Sequence, residues 1–247
     1  MSIENEQDLR ALQHVGRIVA ETIRRMLRCV RPGITTAELD RIGEEYFSEK
    51  GARSAPRLSY NFPGATCISV NEEIAHGIPG KRRLKAGDLI NIDVSLELDG
   101  YYADSGATMC VQPAQHFLSR LCDTSRQILN LAIHSIKAGS KLNVIGKTIQ
   151  TESQKLGYTT ILNLAGHGVG RSLHEEPLDI LNYYNPSDKR LATNGMVIAI
   201  ETFISTGATL AIEKGDGWTL TTADRSYVAQ FEHSIVVTED QPIILTA

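Results

Sequence analysis

The dipeptide Asp99-Gly100 separates two long stretches of β-forming residues, and it constrains the fold of this chain more than any other feature. The first stretch runs from Leu89 to Leu98 and the second from Tyr101 to Val111. Asp-Gly between two such stretches is a strong hairpin signal, because both residues of a two-residue turn adopt positive φ. We therefore predict an antiparallel hairpin in which Leu98 pairs with Tyr101.

Counting outward from this turn places two acidic residues on one face of the hairpin. Asp93 falls opposite Gly106, and Asp104 falls opposite Ser95. Diagonal neighbours on such a face lie about 7–8 Å apart, so both carboxylates can reach one cation. Taken alone, the two acids are as well explained by a solvated sheet face. Packing against helices is predicted for the apolar residues of the other face, Ile92, Val94, Leu96 and Leu98.

Apolar residues at three- and four-residue steps predict helices on both sides of the hairpin. A capping box from Thr35 to Glu38 marks the start of the second helix, and a start capped near Asn143 is predicted for the fourth. Glycines close the second and fourth helices. The predicted helices cover residues 8–30, 35–51, 118–136 and 143–157.

The layout of the first half recurs in the second. Gly33 and Gly51 have counterparts at the same spacing in Gly139 and Gly157, although two coincidental helix pairs remain an alternative. Strands are predicted again after the second helix pair, at 196–204 and 231–237. The predicted fold is therefore a single α+β domain over residues 1–247, with two halves related by a pseudo-twofold axis and a site between them.

Three further residues in the second half have the chemistry of metal ligands. Glu201 lies inside a strand that reads as buried, Glu232 precedes a second such strand, and His167 lies in a glycine-rich segment. Each alone is more often a paired core acid or a hydrogen-bonded histidine. Together with Asp93 and Asp104 they give four carboxylates and one imidazole. Such an oxygen-rich set suits manganese, iron or cobalt, with zinc as an alternative.

These five residues match, in order and local context, the ligands of the methionine aminopeptidase and prolidase superfamily. The resemblance covers nearly the whole chain. Within the superfamily, the chain resembles the type I methionine aminopeptidases, because no insertion separates His174 from Glu201 and no zinc-finger extension precedes the catalytic region. It implies the pita-bread (creatinase/aminopeptidase) fold, with antiparallel sheets inside and helices outside. The matching segments are 67–79, 166–171, 174–177 and 216–219.

The resemblance implies a role for each ligand at a centre of two divalent ions, Co, Mn, Fe or Zn. Asp93 would bind one ion, His167 and Glu201 would bind the other, and Asp104 and Glu232 would bridge them. Glu201 would also transfer a proton from the attacking water to the leaving amine.

Residues outside the ligand set would recognise the substrate. By the same resemblance, His76 and His174 would contact the scissile amide and the developing tetrahedral oxygen. Phe62, Cys67 and Trp218 would line the methionine side-chain pocket. The chain departs from the family pattern at Leu173, where an aromatic residue is common, at Ser59, where tyrosine is common, and at Thr202, where proline is common.

The resemblance implies an aminopeptidase that removes the N-terminal methionine from peptides and nascent proteins with a small second residue. We expect a cytoplasmic monomer, with ribosome docking implied by the family's role. The polar, acidic start is unlike a secretory signal, and no long apolar run predicts a membrane helix. The net charge is −4, so the chain lacks the positive electrostatic field that attracts nucleic acid, and no nucleic-acid site is predicted.

Two alternatives keep the same fold. A prolidase or aminopeptidase P would use the same five ligands on proline-containing substrates, and a non-enzymatic relative would bind protein or RNA. The short chain disfavours the first, and the complete ligand set disfavours the second. A zincin is excluded because His174-Glu175-Glu176-Pro177 is followed by Leu178 where the second histidine belongs.

Overall fold

The computed structural model describes residues 2–247. Its helices are α1 (Glu6–Cys29), α2 (Thr36–Glu49), α3 (Ala55–Tyr60), α4 (His116–His134) and α5 (Asn143–Lys155). Its strands are β1 (Arg53–Ser54), β2 (Cys67–Val70), β3 (Glu73–Ala75), β4 (Leu89–Leu98), β5 (Tyr101–Cys110), β6 (Thr159–Thr160), β7 (Ala165–Gly168), β8 (Glu175–Leu181), β9 (Val197–Ser205), β10 (Ile212–Glu213), β11 (Leu220–Thr221), β12 (Val228–Val236) and β13 (Ile243–Ile244).

The strands form three antiparallel sheets. The first has the order β1-β4-β2, with β5 also paired to β4, and the second is the short sheet β10-β11-β3. The third has the order β13-β12-β9-β7-β8, with β6 paired to β9. The predicted α+β pita-bread architecture, with antiparallel sheets and outer helices, is confirmed.

The hairpin predicted from Asp99-Gly100 is confirmed. Leu98 pairs with Tyr101, and the register places Asp93 opposite Gly106 and Asp104 opposite Ser95, as counted from the turn. Asp99 and Gly100 have φ values of 52° and 79°, which a two-residue hairpin turn of this kind requires.

The four long helices lie where the apolar periodicity predicts them. The capping box at the start of α2 is present, with Glu38 accepting a hydrogen bond from Thr35 N at 2.8 Å. The cap predicted near Asn143 is wrong in detail, because no side chain caps α5. Asn143 instead donates from Nδ2 to the backbone oxygens of Asn185 and Asp188, and so ties α5 to a neighbouring loop.

The two halves repeat each other in backbone conformation. Gly33 and Gly139 have φ values of 90° and 82°, and Gly51 and Gly157 have φ values of 79° and 80°. These conformations are strained for residues with a side chain, so the glycines end matching helices by the same means.

The halves meet along β5 and β12, which lie side by side. Ser105 Oγ donates to the backbone oxygen of Glu232 at 2.6 Å, and Thr108 Oγ1 donates to that of Gln230 at 2.6 Å. The backbone N–H of Asp104 donates to Ser234 Oγ at 2.9 Å. Side chains thus satisfy the facing polar groups, and the contact brings the acidic face of the hairpin against β12.

Each half has its own apolar layer beneath its helices. The layer under α1 and α2 includes the residues predicted to pack on helices, Ile92, Val94 and Leu96, with Leu98 packed at its margin. The layer under α4 and α5 includes Ile198 and Ile200 of β9. Within residues 2–247, none of the helices combines the length and apolar character needed to cross a bilayer.

A polar cluster joins α1 to the loop that follows β7. Asp8 Oδ1 accepts hydrogen bonds from Tyr101 Oη at 2.7 Å and from Arg171 at 2.9 Å. The Arg171 guanidinium also lies 3.7 Å from the centroid of the Tyr101 ring. The cluster holds the start of the segment that leads to Leu173 and His174.

Candidate metal centre

All five predicted ligands open into one cleft between the two halves. The cleft has a volume of about 290 Å³. Its walls are formed by Pro56, Tyr60, Phe62, Cys67, His76, Asp93, Ser95, Asp104, His167, Leu173, His174, Glu201, Trp218 and Glu232. The ten residues predicted from the sequence to form the site are all among them.

Strand register positions the four carboxylates. Asp93 and Asp104 are diagonal neighbours across β4 and β5. Glu201 and Glu232 lie directly opposite each other across β9 and β12. Because β5 packs against β12, the two acidic pairs face each other across the junction of the halves.

His167 completes the cluster from β7, which pairs with β9 on the other side. Its Nε2 lies 3.7 Å from Asp104 Oδ2 and 4.0 Å from Glu232 Oε1. Its Nδ1 lies 3.0 Å from the backbone oxygen of Gly168. Donation from Nδ1 to that oxygen leaves the Nε2 lone pair directed toward the carboxylates, as a metal ligand requires.

The electrostatics of the cleft favour a cation. Burial raises the pKa of Asp93 well above its usual range, and the neighbouring Asp104 and Glu201 carboxylates raise it further. Burial raises the pKa of Glu232 well above its usual range, and the neighbouring Asp104, Glu201 and Asp93 carboxylates raise it further. Burial raises the pKa of Glu201 to about 8. Burial lowers the pKa of His167 to about 4, which keeps its imidazole neutral. Ionised carboxylates packed this closely need a positive counter-charge.

A carboxylate oxygen of Glu232, Oε1, is buried without a hydrogen bond within residues 2–247. A buried carboxylate oxygen without a partner is costly, and a metal ion would satisfy it. Ligand atoms of Asp104, His167 and Glu232 all lie within 4.8 Å of one another, so one ion can contact all three. The donor set therefore fits a divalent cation.

A buried amide network supports the ligands and was missed by sequence reasoning. Gln230 Nε2 donates to Glu232 Oε2 at 3.1 Å, and Asn91 Nδ2 donates to Gln230 Oε1 at 2.7 Å. Asn91 is two residues before Asp93 and Gln230 two residues before Glu232, so strand alternation places both on the ligand-bearing face. The alternation of side chains along these strands was the sequence signal that could have identified Asn91 and Gln230.

The two predicted substrate histidines lie at the mouth of the cleft. His174 packs on His167, with ring centroids 4.1 Å apart. His174 Nδ1 shares a hydrogen bond of 2.6 Å with Tyr60 Oη. His76 has a φ of 54°, which turns its side chain toward the same cavity at the end of β3.

One wall of the cleft is apolar. Phe62 and Trp218 meet edge to face, with ring centroids 5.1 Å apart and an interplanar angle of 85°. Cys67 and Leu173 are buried beside them. Burial raises the pKa of the Cys67 thiol well above its usual range, which favours a pocket wall over a nucleophile.

The three departures from the family pattern have different structural meanings. Leu173 does line the cleft, whereas Ser59 is exposed and lies outside it. The next residue, Tyr60, supplies an aromatic ring at the cleft instead. Thr202 is fully buried on the opposite face of β9, where its Oγ1 lies 2.8 Å from Ser125 Oγ of α4. Thr202 therefore does not shape the substrate pocket.

A larger groove of about 840 Å³ lies on the opposite face, between α1 and α4. Apolar residues and three arginines (Arg24, Arg28 and Arg126) are among its walls, and none of the predicted site residues contributes to it. Volume alone therefore does not identify the site, and the acidic cleft remains the candidate because it combines ligands with a pocket.

The chain matches the model of metallopeptidase family M24 over residues 10–239. It is 49% identical to methionine aminopeptidase 2 of Bacillus subtilis (strain 168), over 100% of this chain and 99% of the relative. The crystal structure of methionine aminopeptidase from Rickettsia prowazekii superposes with a TM-score of 0.95 at 36% identity, covering 100% of both chains. Prolidase from Pyrococcus horikoshii OT3 gives a TM-score of 0.79 at 20% identity, covering 99% of this chain and 63% of the other.

Proposed function

The chain belongs to metallopeptidase family M24, and on this premise we propose that it is a methionine aminopeptidase that removes N-terminal methionine from peptides and nascent proteins with a small second residue. The observation that carries the proposal is the junction of an acidic cluster and an apolar wall in one cleft. The cluster suits metal-assisted hydrolysis, and the wall suits one unbranched, sulfur-containing side chain.

We propose that the cleft holds two divalent ions, Co, Mn, Fe or Zn. Asp93 would bind one and His167 with Glu201 the other, while Asp104 and Glu232 would bridge them. Bound there, such ions polarise a carbonyl group and lower the pKa of water. The unpaired Oε1 of Glu232 and the raised pKa values of the carboxyl groups support a site built for positive charge.

The protein's own groups would handle the substrate and its protons. His76 and His174 project into the cleft and would donate hydrogen bonds to the scissile amide and to the oxygen that gains charge. Glu201 would carry a proton from the attacking water to the leaving amine. Phe62, Cys67 and Trp218 would enclose the methionine side chain and so set the reacting bond against these groups.

The alternatives receive less support. The prolidase from Pyrococcus horikoshii OT3 is 20% identical to this chain, so the similarity shows a shared fold alone. The methionine aminopeptidase of Bacillus subtilis, in contrast, is 49% identical over the full chain. A non-enzymatic relative would have no use for the complete set of acids and histidines around one cleft.

We further propose that residues 1–247 act as one catalytic domain and as a monomer in the cytoplasm, where nascent chains begin with methionine. Ligands contributed by both halves support the single domain. Because the proposed substrate is the N-terminus of a nascent chain, we also propose that the protein meets its substrate near the ribosome.

A dipeptide series with defined metals tests the function. Purified protein supplied with Mn²⁺, Fe²⁺, Co²⁺ or Zn²⁺ should release methionine from Met-Ala and Met-Gly, and much less from Met-Leu. It should leave Ala-Pro and Leu-Pro intact. The absence of methionine release with all four metals would refute the proposal, and cleavage of only the Xaa-Pro substrates would favour a prolidase.

A further inference from the structure

Tyr60 lines the cleft, and the proposed chemistry gives it no role. It is the last residue of α3, and Asn61 follows with a φ of 57°, so the chain turns sharply after it. Its ring lines the cleft although the residue is 45% exposed. Tyr60 therefore stands at the mouth, between the interior and solvent.

The hydroxyl of Tyr60 has one specific partner. Its Oη lies 2.6 Å from His174 Nδ1, and the two ring centroids are 5.5 Å apart at an interplanar angle of 50°. This hydrogen bond joins side chains that are 114 positions apart in sequence, and it holds the orientation of the imidazole ring from the solvent side. The other nitrogen, Nε2, then faces away from Tyr60 and into the cleft.

We propose that Tyr60 is a positioning residue, whose hydroxyl donates to His174 Nδ1 and thereby keeps the proton of the neutral imidazole on Nε2. A phenol retains its proton at neutral pH and can donate it, and a neutral imidazole has one donor and one acceptor nitrogen. With Nδ1 accepting, Nε2–H becomes the donor aimed at the substrate. This inference rests on the proposed function of His174 as a donor to the scissile group.

The proposal also accounts for the departure at Ser59. An aromatic residue at position 59 is absent, yet position 60 supplies both an aromatic ring and a hydroxyl at the same cleft. A wall residue needs only the ring, whereas a positioning residue needs the hydroxyl. The two roles therefore separate in a Tyr60→Phe substitution, which removes only the oxygen.

Steady-state kinetics on Met-Ala-type peptides provide the first test. In Tyr60→Phe we expect kcat to fall about 3- to 10-fold, as for the loss of one hydrogen bond, while KM changes less than about twofold because the ring remains. Tyr184→Phe is the matched control, since Tyr184 is also exposed and lies outside the cleft. It should leave both constants unchanged. An unchanged kcat in Tyr60→Phe would overturn the proposal.

Nitrogen-15 NMR of histidine side chains provides a test that does not depend on activity. In metal-free and zinc-loaded protein, the His174 signals should report the proton on Nε2, and Tyr60→Phe should shift them toward a mixture of tautomers. A proton on Nδ1 in the unsubstituted protein would overturn the proposal. So would a Tyr60→Phe protein with reduced metal content or a lower melting temperature, because the role would then be structural.

The two tests also separate this inference from the proposed function. Absence of methionine release by the unsubstituted protein would refute the function, whereas the NMR comparison would still show whether Tyr60 sets the tautomer. Release by the unsubstituted protein with identical kcat in Tyr60→Phe would refute the inference alone.

Discussion

The side-chain amide of Gln230 occupies the space into which a side chain at position 106 would project. A Cβ atom on Gly106 would overlap Oε1, Nε2 and Cδ of Gln230. The same amide donates to Glu232 Oε2 at 3.1 Å. The glycine in β5 therefore controls the orientation of a proposed metal ligand on β12 across the junction of the two halves.

Gly106→Ala should weaken metal binding. The added methyl group must displace Gln230, and a carboxylate that loses its supporting hydrogen bond holds a metal less tightly. Loss of such outer partners typically lowers metal affinity about 10- to 100-fold. Isothermal titration with Mn²⁺ measures the change. Gly80→Ala is the control, because a Cβ there meets only the oxygen of Ile78 at 3.9 Å. Equal affinities in the two variants would contradict the prediction.

Metal binding should raise the thermal stability of the unsubstituted protein and much less that of Asp93→Asn. A ligand at 100 times its Kd stabilises the folded state by about 2.7 kcal/mol. The carboxamide introduced by this substitution would be a poorer ligand than the carboxylate, so the same metal concentration should produce a smaller rise in melting temperature. Calorimetry with and without Mn²⁺ tests this, with Asp123→Asn as a surface control whose partner is Arg126. A full rise in the Asp93→Asn variant would argue against Asp93 as a ligand.

Trp218→Leu should lower kcat/KM for methionine peptides by about 2- to 10-fold. The substitution removes the edge-to-face contact with Phe62, and such contacts contribute about 0.5–1.5 kcal/mol beyond buried area. Trp218→Phe keeps an aromatic edge and should lose less. Kinetics with Met-Ala and norleucine-Ala peptides separate the effect on the pocket from an effect on sulfur. A larger loss in Trp218→Phe than in Trp218→Leu would refute the aromatic explanation.

The contribution of Asp8 to stability should depend on pH. Its pKa lies below the ordinary value, first because Tyr101 Oη donates to the carboxylate and also through the backbone and Arg171. The native state thus favours the ionised form. This stabilisation is present above the unfolded pKa of about 3.9 and is lost as pH falls through the lower native pKa.

Comparison with Asp8→Asn isolates this contribution. Urea unfolding should show Asp8→Asn less stable than the unsubstituted protein at pH 7, and the gap should narrow as pH falls below about 4. The difference between the variants cancels the titration of the cleft carboxylates, which both proteins share. A gap that stays constant from pH 7 to about pH 3 would indicate that the carboxylate charge of Asp8 does not stabilise the fold.

The hairpin and its two acids could be predicted because their geometry is local. A two-residue turn dictates the pairing of every residue beyond it, so the position of Asp99-Gly100 also determined where Asp93 and Asp104 would lie. The helices followed from periodicity and capping for the same reason. The missing cap of α5 shows the limit, since Asn143 uses its amide for a tertiary contact instead.

The supporting residues depend on contacts between distant segments. The position of Gln230 is set by Asn91, 139 residues away, and by the open space above Gly106. The hydrogen bond of Tyr60 to His174 depends on where α3 ends relative to the loop before β8. Neither relationship leaves a pattern within one segment. Thr202 shows the converse, because an unusual residue beside a ligand faces α4 and leaves the cleft unchanged.

Glu201 and Thr202 point to opposite faces of β9, so the proposed activity depends on the alternation of side chains along this strand. Inserting one residue into β9 ahead of Ala199 would move Glu201 to the position of Thr202, where its carboxylate would press against Ser125, and would move Ile200 to the ligand position in the cleft. Composition would hardly change, yet a ligand would be lost and a charge buried against a helix. The number of residues in β9 ahead of Glu201 therefore matters to the site as much as the identity of the ligand itself.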